Sequence, residues 1–194
     1  MNREKKKGLL FVLSAPAGTG KTTLMHRLKK EFDCVEESVS STTRAPRVGE
    51  ENGKDYWFVT EAEFKESLAK GEFLEHAEVF GKLYGISKKQ LQKKIDSGKH
   101  VFLVIDTQGA VHLQKMALKA VYIFVAPPSL EALKERLKKR QTEDEAKQSE
   151  RLSWAEKEMG LSSIYDYLII NDDLDEAYSA LKSILVAEEH KILK

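Results

Sequence analysis

The sequence predicts an α/β fold: a parallel central sheet between two helical layers, with a small α+β lobe inserted into it and a short lid. Three observations predict it. Short apolar runs near residues 9–13, 100–105, 120–126 and 167–170 alternate with segments of helical period, the rhythm of a parallel sheet covered on both faces. The first run passes through a glycine-rich turn straight into a helical pattern. The stretch 34–98 breaks the rhythm with short strands and turns in succession, as an antiparallel insertion would. Residues 1–33 and 99–194 therefore form the core and 34–98 the lobe.

Taken in order, the run Leu9-Leu-Phe-Val-Leu13 is the first buried strand. Residues 21–32 form a helix with Leu24, Met25, Leu28 and Phe32 on one face. Residues 34–43 are extended, and Pro46, Gly49 and Gly53 divide the next stretch into turns ahead of a short aromatic strand at 56–59. Thr60 and Glu63 form a capping box that opens a helix over 61–70, closed by Gly71. A strand over 72–80 leads to a turn at 81–85. Ser87 and Gln90 then open a helix that Gly98 closes. A central strand at 100–106 ends in a carboxylate, a helix covers 107–116 and an apolar strand 120–126. Ser129 caps a helix from Leu130 to Arg140. The acid-rich segment 141–148 is polar and expected to be mobile. Helix resumes over 149–159, Tyr167–Ile170 is the last strand, and Asp173 caps a helix to about Leu193.

The 194 residues suffice for one good-sized domain with small insertions. A formal net charge of +1 gives no global field favouring nucleic acid or an acidic membrane. The basic run from Arg3 to Lys7 reads as a solvated tail. No apolar stretch approaches the roughly 20 residues of a bilayer span, and the run at 9–13 is too short for a signal-peptide core. Cys34 is the only cysteine, so no internal disulfide forms and a structural zinc cluster is unsupported. The expected location is the cytoplasm, with neither nucleic acid nor membrane as partner.

The chemistry begins at Ala15-Pro16-Ala17-Gly18-Thr19-Gly20-Lys21-Thr22-Thr23. Small residues let the backbone curl so that successive N–H groups converge on one anion, and the following helix adds its positive end. Lys21 brings a full charge to the outer phosphates, and the Thr22 hydroxyl suits Mg²⁺. Ala15 stands where the usual pattern has its first glycine, which is harmless at negative φ and costly at positive φ. The bare alternative is an ordinary strand–turn–helix corner. The chain has only seven arginines, and five fall in two groups: Arg44 with Arg47, and Arg136 with Arg140 and Arg151. Arginine grips phosphate bidentately, so the joint pattern reads as two anion clamps, although any one alone is compatible with a surface ion pair.

Ser40-Ser-Thr-Thr-Arg-Ala-Pro-Arg47, followed by Gly49-Glu-x-x-Gly-x-x-Tyr56, resembles the GMP-binding segment of guanylate kinases. Glu72-Phe-Leu-Glu75, Tyr84-Gly85, Ile105-Asp106-x-Gln-Gly109, Ala126-Pro-Pro-Ser129 and Asn171-Asp-Asp resemble the same family in order and spacing, over about residues 8–187. The resemblance implies a P-loop three-layer fold with a nucleoside-monophosphate lobe at 34–98 and a lid at about 137–150. It implies transfer of a phosphoryl group from ATP to GMP, and to dGMP, with Mg²⁺, and a homo-oligomer is compatible with the sequence. By the same resemblance, Ser40, Arg44, Arg47, Tyr56 and Tyr84 would hold the GMP phosphate. Glu75 and Asp106 would accept hydrogen bonds from guanine N1–H and N2–H₂, donors that adenine lacks there. Residues 15–23 would hold the ATP phosphates, with Thr22 on the metal and Asn171 near the adenine. Lys21, Arg44, Arg136, Arg140 and Arg151 would carry catalysis, the last three around the γ-phosphate.

Two further departures from the family pattern are visible. Val104 stands two residues before Asp106 where an acid near the metal is expected, and Ile86 replaces a hydroxyl residue after Tyr-Gly, for which Ser87 is the available substitute. Weakened GMP or Mg²⁺ affinity is the expected consequence. The rival readings are a kinase for another small acceptor and a catalytically silent binding module on the same fold. Retention of Lys21, Thr22 and all five grouped arginines favours the enzyme.

Overall fold

The computed structural model describes residues 7–79, 81–139 and 145–192. The basic run from Arg3 to its penultimate lysine, Phe80, Arg140, residues 141–144 and Leu193 lie outside them. The chain divides into two compact units: Glu36–Val101 with the segment ending at Gly8, and Leu9–Val35 with everything from Phe102 onward.

The larger unit is built on β1 (Leu10–Ser14), followed by α1 (Lys21–Glu31), α4 (Thr107–Lys115), β8 (Val121–Ala126), α5 (Leu130–Lys139), α6 (Glu145–Met159), β9 (Tyr167–Ile170) and α7 (Leu174–Glu189). A five-stranded sheet runs in the order β2 (Val35–Glu37), β7 (His100–Ile105), β1, β8, β9. β1 pairs parallel with β8, and β8 parallel with β9, as βαβ crossovers require. Phe11, Val12 and Leu13 are consecutive and all 0% exposed. Because successive strand residues point to opposite faces, both faces of β1 are covered. Phe11 stacks on Phe102 with centroids 4.5 Å apart, and the same cluster takes in Leu24, Met25 and Leu28 of α1 and Leu181 and Leu185 of α7. α6 begins at Glu145, inside the polar segment expected to be mobile, and packs Leu152 and Ala155 against Leu133 and Leu137 of α5. Of the acids in that segment, Glu145 opens the helix, at the end where negative charge is favourable, and Glu143 and Asp144 lie outside the described residues.

In the smaller unit, a four-stranded sheet has the order β4 (Trp57–Phe58), β3 (Ser41–Thr42), β6 (Lys82–Ser87), β5 (Phe73–Val79), beside α2 (Glu61–Ala69) and α3 (Lys88–Asp96). Both bonds of the Thr60–Glu63 capping box are made. The expected turn at 81–85 is instead a hairpin: Gly81, at φ 69°, makes the turn, and β6 carries Tyr84 and Gly85 in register with Ala77 and His76. Gly85 is there for space. A Cβ on it would meet the rings of Phe73 at 2.8 Å and Phe64 at 3.0 Å, which stack 4.3 Å apart beneath it. Ser87 caps α3, its Oγ accepting from the Gln90 N–H at 3.4 Å. It is one strand position out of phase with Tyr84, so its side chain belongs to the other face of the sheet. Ile86, on the Tyr84 face, is buried. Ser87 is thus no stand-in for the missing hydroxyl.

No helix among the described residues is long and apolar enough to cross a membrane.

Candidate active site

In the larger unit, the polypeptide leaves β1 with the Ala15 methyl packed in the core. Ala15 does not have positive φ; among the described residues the only non-glycine that does is Ala117. The alanine substitution at the head of the loop is therefore free of backbone strain. Gly18 and Gly20 supply the left-handed conformations, at φ 89° and 91°. Thr19 is buried, its Oγ1 donating to the Pro16 carbonyl at 2.9 Å. Gly20 is also the N-cap of α1 and offers no side-chain cap, and the first turn holds no acid. The leading N–H groups of α1 are left for an anion. Lys21 Nζ donates to the Ile105 carbonyl at 2.9 Å and more distantly to Ala15 O at 3.4 Å. Thr22 and Thr23 are exposed.

Lys21 opens into a cavity of about 260 Å³ that Ala17, Asp106, Gln108 and Glu158 also line. Asp106 caps α4, one oxygen accepting the Gly109 N–H at 2.8 Å. Glu158 comes from α6 and accepts the Thr107 hydroxyl at 2.6 Å. Val104, where an acid was expected, packs against the core. Glu158 is the carboxylate that the sequence reading missed; nothing but its place seven residues after Arg151, two helical turns on, marks it. Beneath this region the buried Tyr165 hydroxyl has no hydrogen-bond partner of ordinary geometry among the described residues, and burial pushes its pKa up against a smaller lowering by Ser14.

Asn171 sits at the end of β9, 4% exposed, and its amide donates to the Thr19 carbonyl at 2.6 Å. A Cβ on Gly20 would fall 2.5 Å from that amide nitrogen, so glycine there lets Asn171 brace the loop from behind. Arg136, expected around the γ-phosphate, belongs to α5. Its guanidinium donates to the Asn171 and Asp172 carbonyls at 2.8 and 3.2 Å and lines a separate cavity with Gly18, Gly20 and Thr23. Leu133 and Leu137 pack under Gly18 and set this orientation. Arg140 lies outside the described residues. Arg151 belongs to α6, and its side chain is likewise outside them. Asn171→Ala leaves the buried Thr19 carbonyl without its donor. It is expected to cost about 1–3 kcal/mol, read as a lower urea midpoint, and to raise the KM for the loop's nucleotide. An unchanged midpoint would remove Asn171 as the brace.

In the smaller unit, Arg44 follows Thr42, whose Oγ1 accepts the Arg44 N–H at 3.2 Å. The Arg44 guanidinium donates to Glu50 Oε1 at 2.7 Å and to Ala45 O at 2.8 Å. Glu50 Oε2 accepts the Arg47 N–H at 2.7 Å. Arg44 thus holds the Glu50 carboxyl below the usual carboxylate range, with help from that N–H, and Glu50 raises the affinity of Arg44 for its proton. The guanidinium stands 5.3 Å from the Tyr56 ring centre, and Tyr56 meets Tyr84 edge-on at 5.9 Å. Register puts Thr42, Phe58, Glu75 and Tyr84 on one face of the sheet. The Arg47 side chain is exposed and makes no ion pair among the described residues; Ser40 is half-buried beside β4, its carbonyl accepting the Trp57 N–H at 2.9 Å. Glu50 was visible only as one letter of the Gly49-Glu motif.

A glycine-built anion cradle at the end of a buried parallel strand, with a lysine inside it, defines a P-loop nucleotide-binding protein. The model of the family described as guanylate kinase matches residues 7–188. Similar curated proteins include the guanylate kinase of Protochlamydia amoebophila, 54% identical over 97% of this chain and 95% of that protein. The guanylate kinase of Chlamydia trachomatis serovar D is 48% identical over 94% of this chain and 89% of that one. Among solved structures, the guanylate kinase of Anaplasma phagocytophilum aligns with a TM-score of 0.69 at 40% identity, covering 96% of this chain and 89% of its own. The chain belongs to the guanylate kinase family.

Proposed function

We propose that this chain phosphorylates GMP, and dGMP, at the expense of ATP, releasing ADP and GDP. Family membership supports the reaction, and one observation supports the acceptor most: Arg44 is held by Glu50 beside two phenols, a guanidinium oriented in advance for a phosphate. In this reading Ser40, Arg44, Arg47, Tyr56 and Tyr84 hold the GMP phosphate. Glu75 and Asp106 accept the guanine N–H donors and so reject adenine. Residues 34–98 form the acceptor lobe, with the core at 1–33 and 99–194 and the lid near 137–150.

Residues 15–23 hold the ATP phosphates, and Asn171 keeps the loop in shape behind them. Arg136, which shares a cavity with Gly18, Gly20 and Thr23, surrounds the γ-phosphate together with Arg140 and Arg151. An acceptor phosphate oxygen attacks Pγ while the bond from Pγ to the bridging β-oxygen breaks, and the electron pair leaves with ADP. Lys21 stabilises the oxygens that gain charge. No enzyme nucleophile is required. The Thr22 hydroxyl, next to Lys21 in the chain, and the Glu158 carboxylate, in the Lys21 cavity, are hard oxygen donors that fit Mg²⁺, the first directly and the second through water. Bound there, Mg²⁺ would neutralise phosphate charge. The cytoplasm is the proposed compartment.

A coupled assay of ADP release, with ATP and each of GMP, AMP, CMP and UMP, tests this. GMP is expected to lead AMP by on the order of 10³ or more in kcat/KM, with activity lost when Mg²⁺ is chelated. Comparable rates with AMP would overturn the assignment of Glu75 and Asp106.

A further inference from the structure

We propose that the back of the small sheet carries a second site, for a small aromatic anion. Ser41, Trp57, Phe73 and Gly85 alternate with Thr42, Phe58 and Tyr84 along their strands and so face away from the Arg44 side. There Ser41, Trp57 and Phe73 border a cavity of about 660 Å³, more than twice that beside Lys21 and within the range that takes a whole small molecule. Its floor is aromatic, made by Trp57, Phe64 and Phe73. One wall is α3, which presents Lys89, Lys93 and Lys94.

The lysines at the rim are not all paired. Lys94 is engaged by Glu36 at 2.7 Å and by the Glu37 carbonyl. Lys89 and Lys93, one turn apart on the helix, make no ion pair among the described residues, and such like-charged neighbours repel. Of the two acids at the rim, Glu63 keeps its charge while capping Thr60 at 2.7 Å, and neither it nor Glu72 pairs with Lys89 or Lys93 among the described residues. Flat aromatic walls with two unpaired ammonium groups along the α3 edge complement a ring system bearing one carboxylate or sulfonate. Peptides and nucleotides are the less favoured occupants: the first lacks a defined charge for this edge, and the second already has the loop cradle.

The test uses the full chain and 8-anilinonaphthalene-1-sulfonate as probe. In a Trp154→Phe background, Trp57 is the only tryptophan, so energy transfer from it to the probe reports occupancy of this cavity. One probe molecule per chain is expected to bind saturably and to quench Trp57. Lys89→Glu with Lys93→Glu is expected to weaken binding about tenfold or more, while the arginine pair retains it. Saturating GMP or ATP is expected not to displace the probe, and the double glutamate variant is expected to keep its phosphotransfer rate. No saturable transfer from Trp57, binding indifferent to the charge reversal, or displacement by either nucleotide would each overturn the site. None of these readouts depends on which acceptor the reaction uses.

Discussion

Lys21→Ala is expected to lower kcat by on the order of 10³ while the chain still folds. The ammonium is placed by the Ile105 carbonyl at 2.9 Å, at the end of a buried strand, so its position is set before any nucleotide arrives. A preorganised charge aimed at the outer phosphates matters most where charge develops in transfer, so the loss belongs mainly in kcat. The fold gives up the bonds to the Ile105 and Ala15 carbonyls, roughly 1–2 kcal/mol of stability. Steady-state ADP release and a urea titration measured on the same preparation separate the two effects. Turnover within tenfold of the parent would take Lys21 out of the mechanism.

Arg44→Ala is expected to raise the KM for GMP by about 10²-fold and to leave the KM for ATP within about twofold. A guanidinium–phosphate contact is charge-assisted and bidentate, and Glu50 has already oriented the donor fork at 2.7 Å. Removing it costs the contact and also frees Glu50 to repel the incoming dianion. Arg44→Lys is expected to recover little, since a point charge cannot reproduce the fork. Equal rises in both KM values would show that Arg44 serves the protein generally and not the acceptor.

The parts that the sequence announced are those whose signals are local. The loop declares itself because strand, glycines, lysine and helix are contiguous. The Thr60–Glu63 box needs only two residues three apart, and both of its bonds are made. The misses share a different cause. Tyr84-Gly85 reads as turn chemistry, yet Gly85 is selected by the rings of Phe64 and Phe73, partners that lie in other elements. What stands opposite Arg136, the Asn171 and Asp172 carbonyls, is equally invisible to helical spacing, because the packing of Leu133 and Leu137 against Gly18 decides it. Glu50 and Glu158 are two acids in a chain that is 32% charged, and only their partners distinguish them.

The threefold enclosure of Phe11, Val12 and Leu13 has a consequence in time as well as space. Their amide protons have no local route to solvent, so deuterium enters there only when the whole unit opens. The glycines a few residues on, at the lip of the same strand, exchange by small excursions that leave β1 intact. The polypeptide thus passes, within one short segment, from its slowest-breathing part to the part that must yield to each arriving and departing nucleotide.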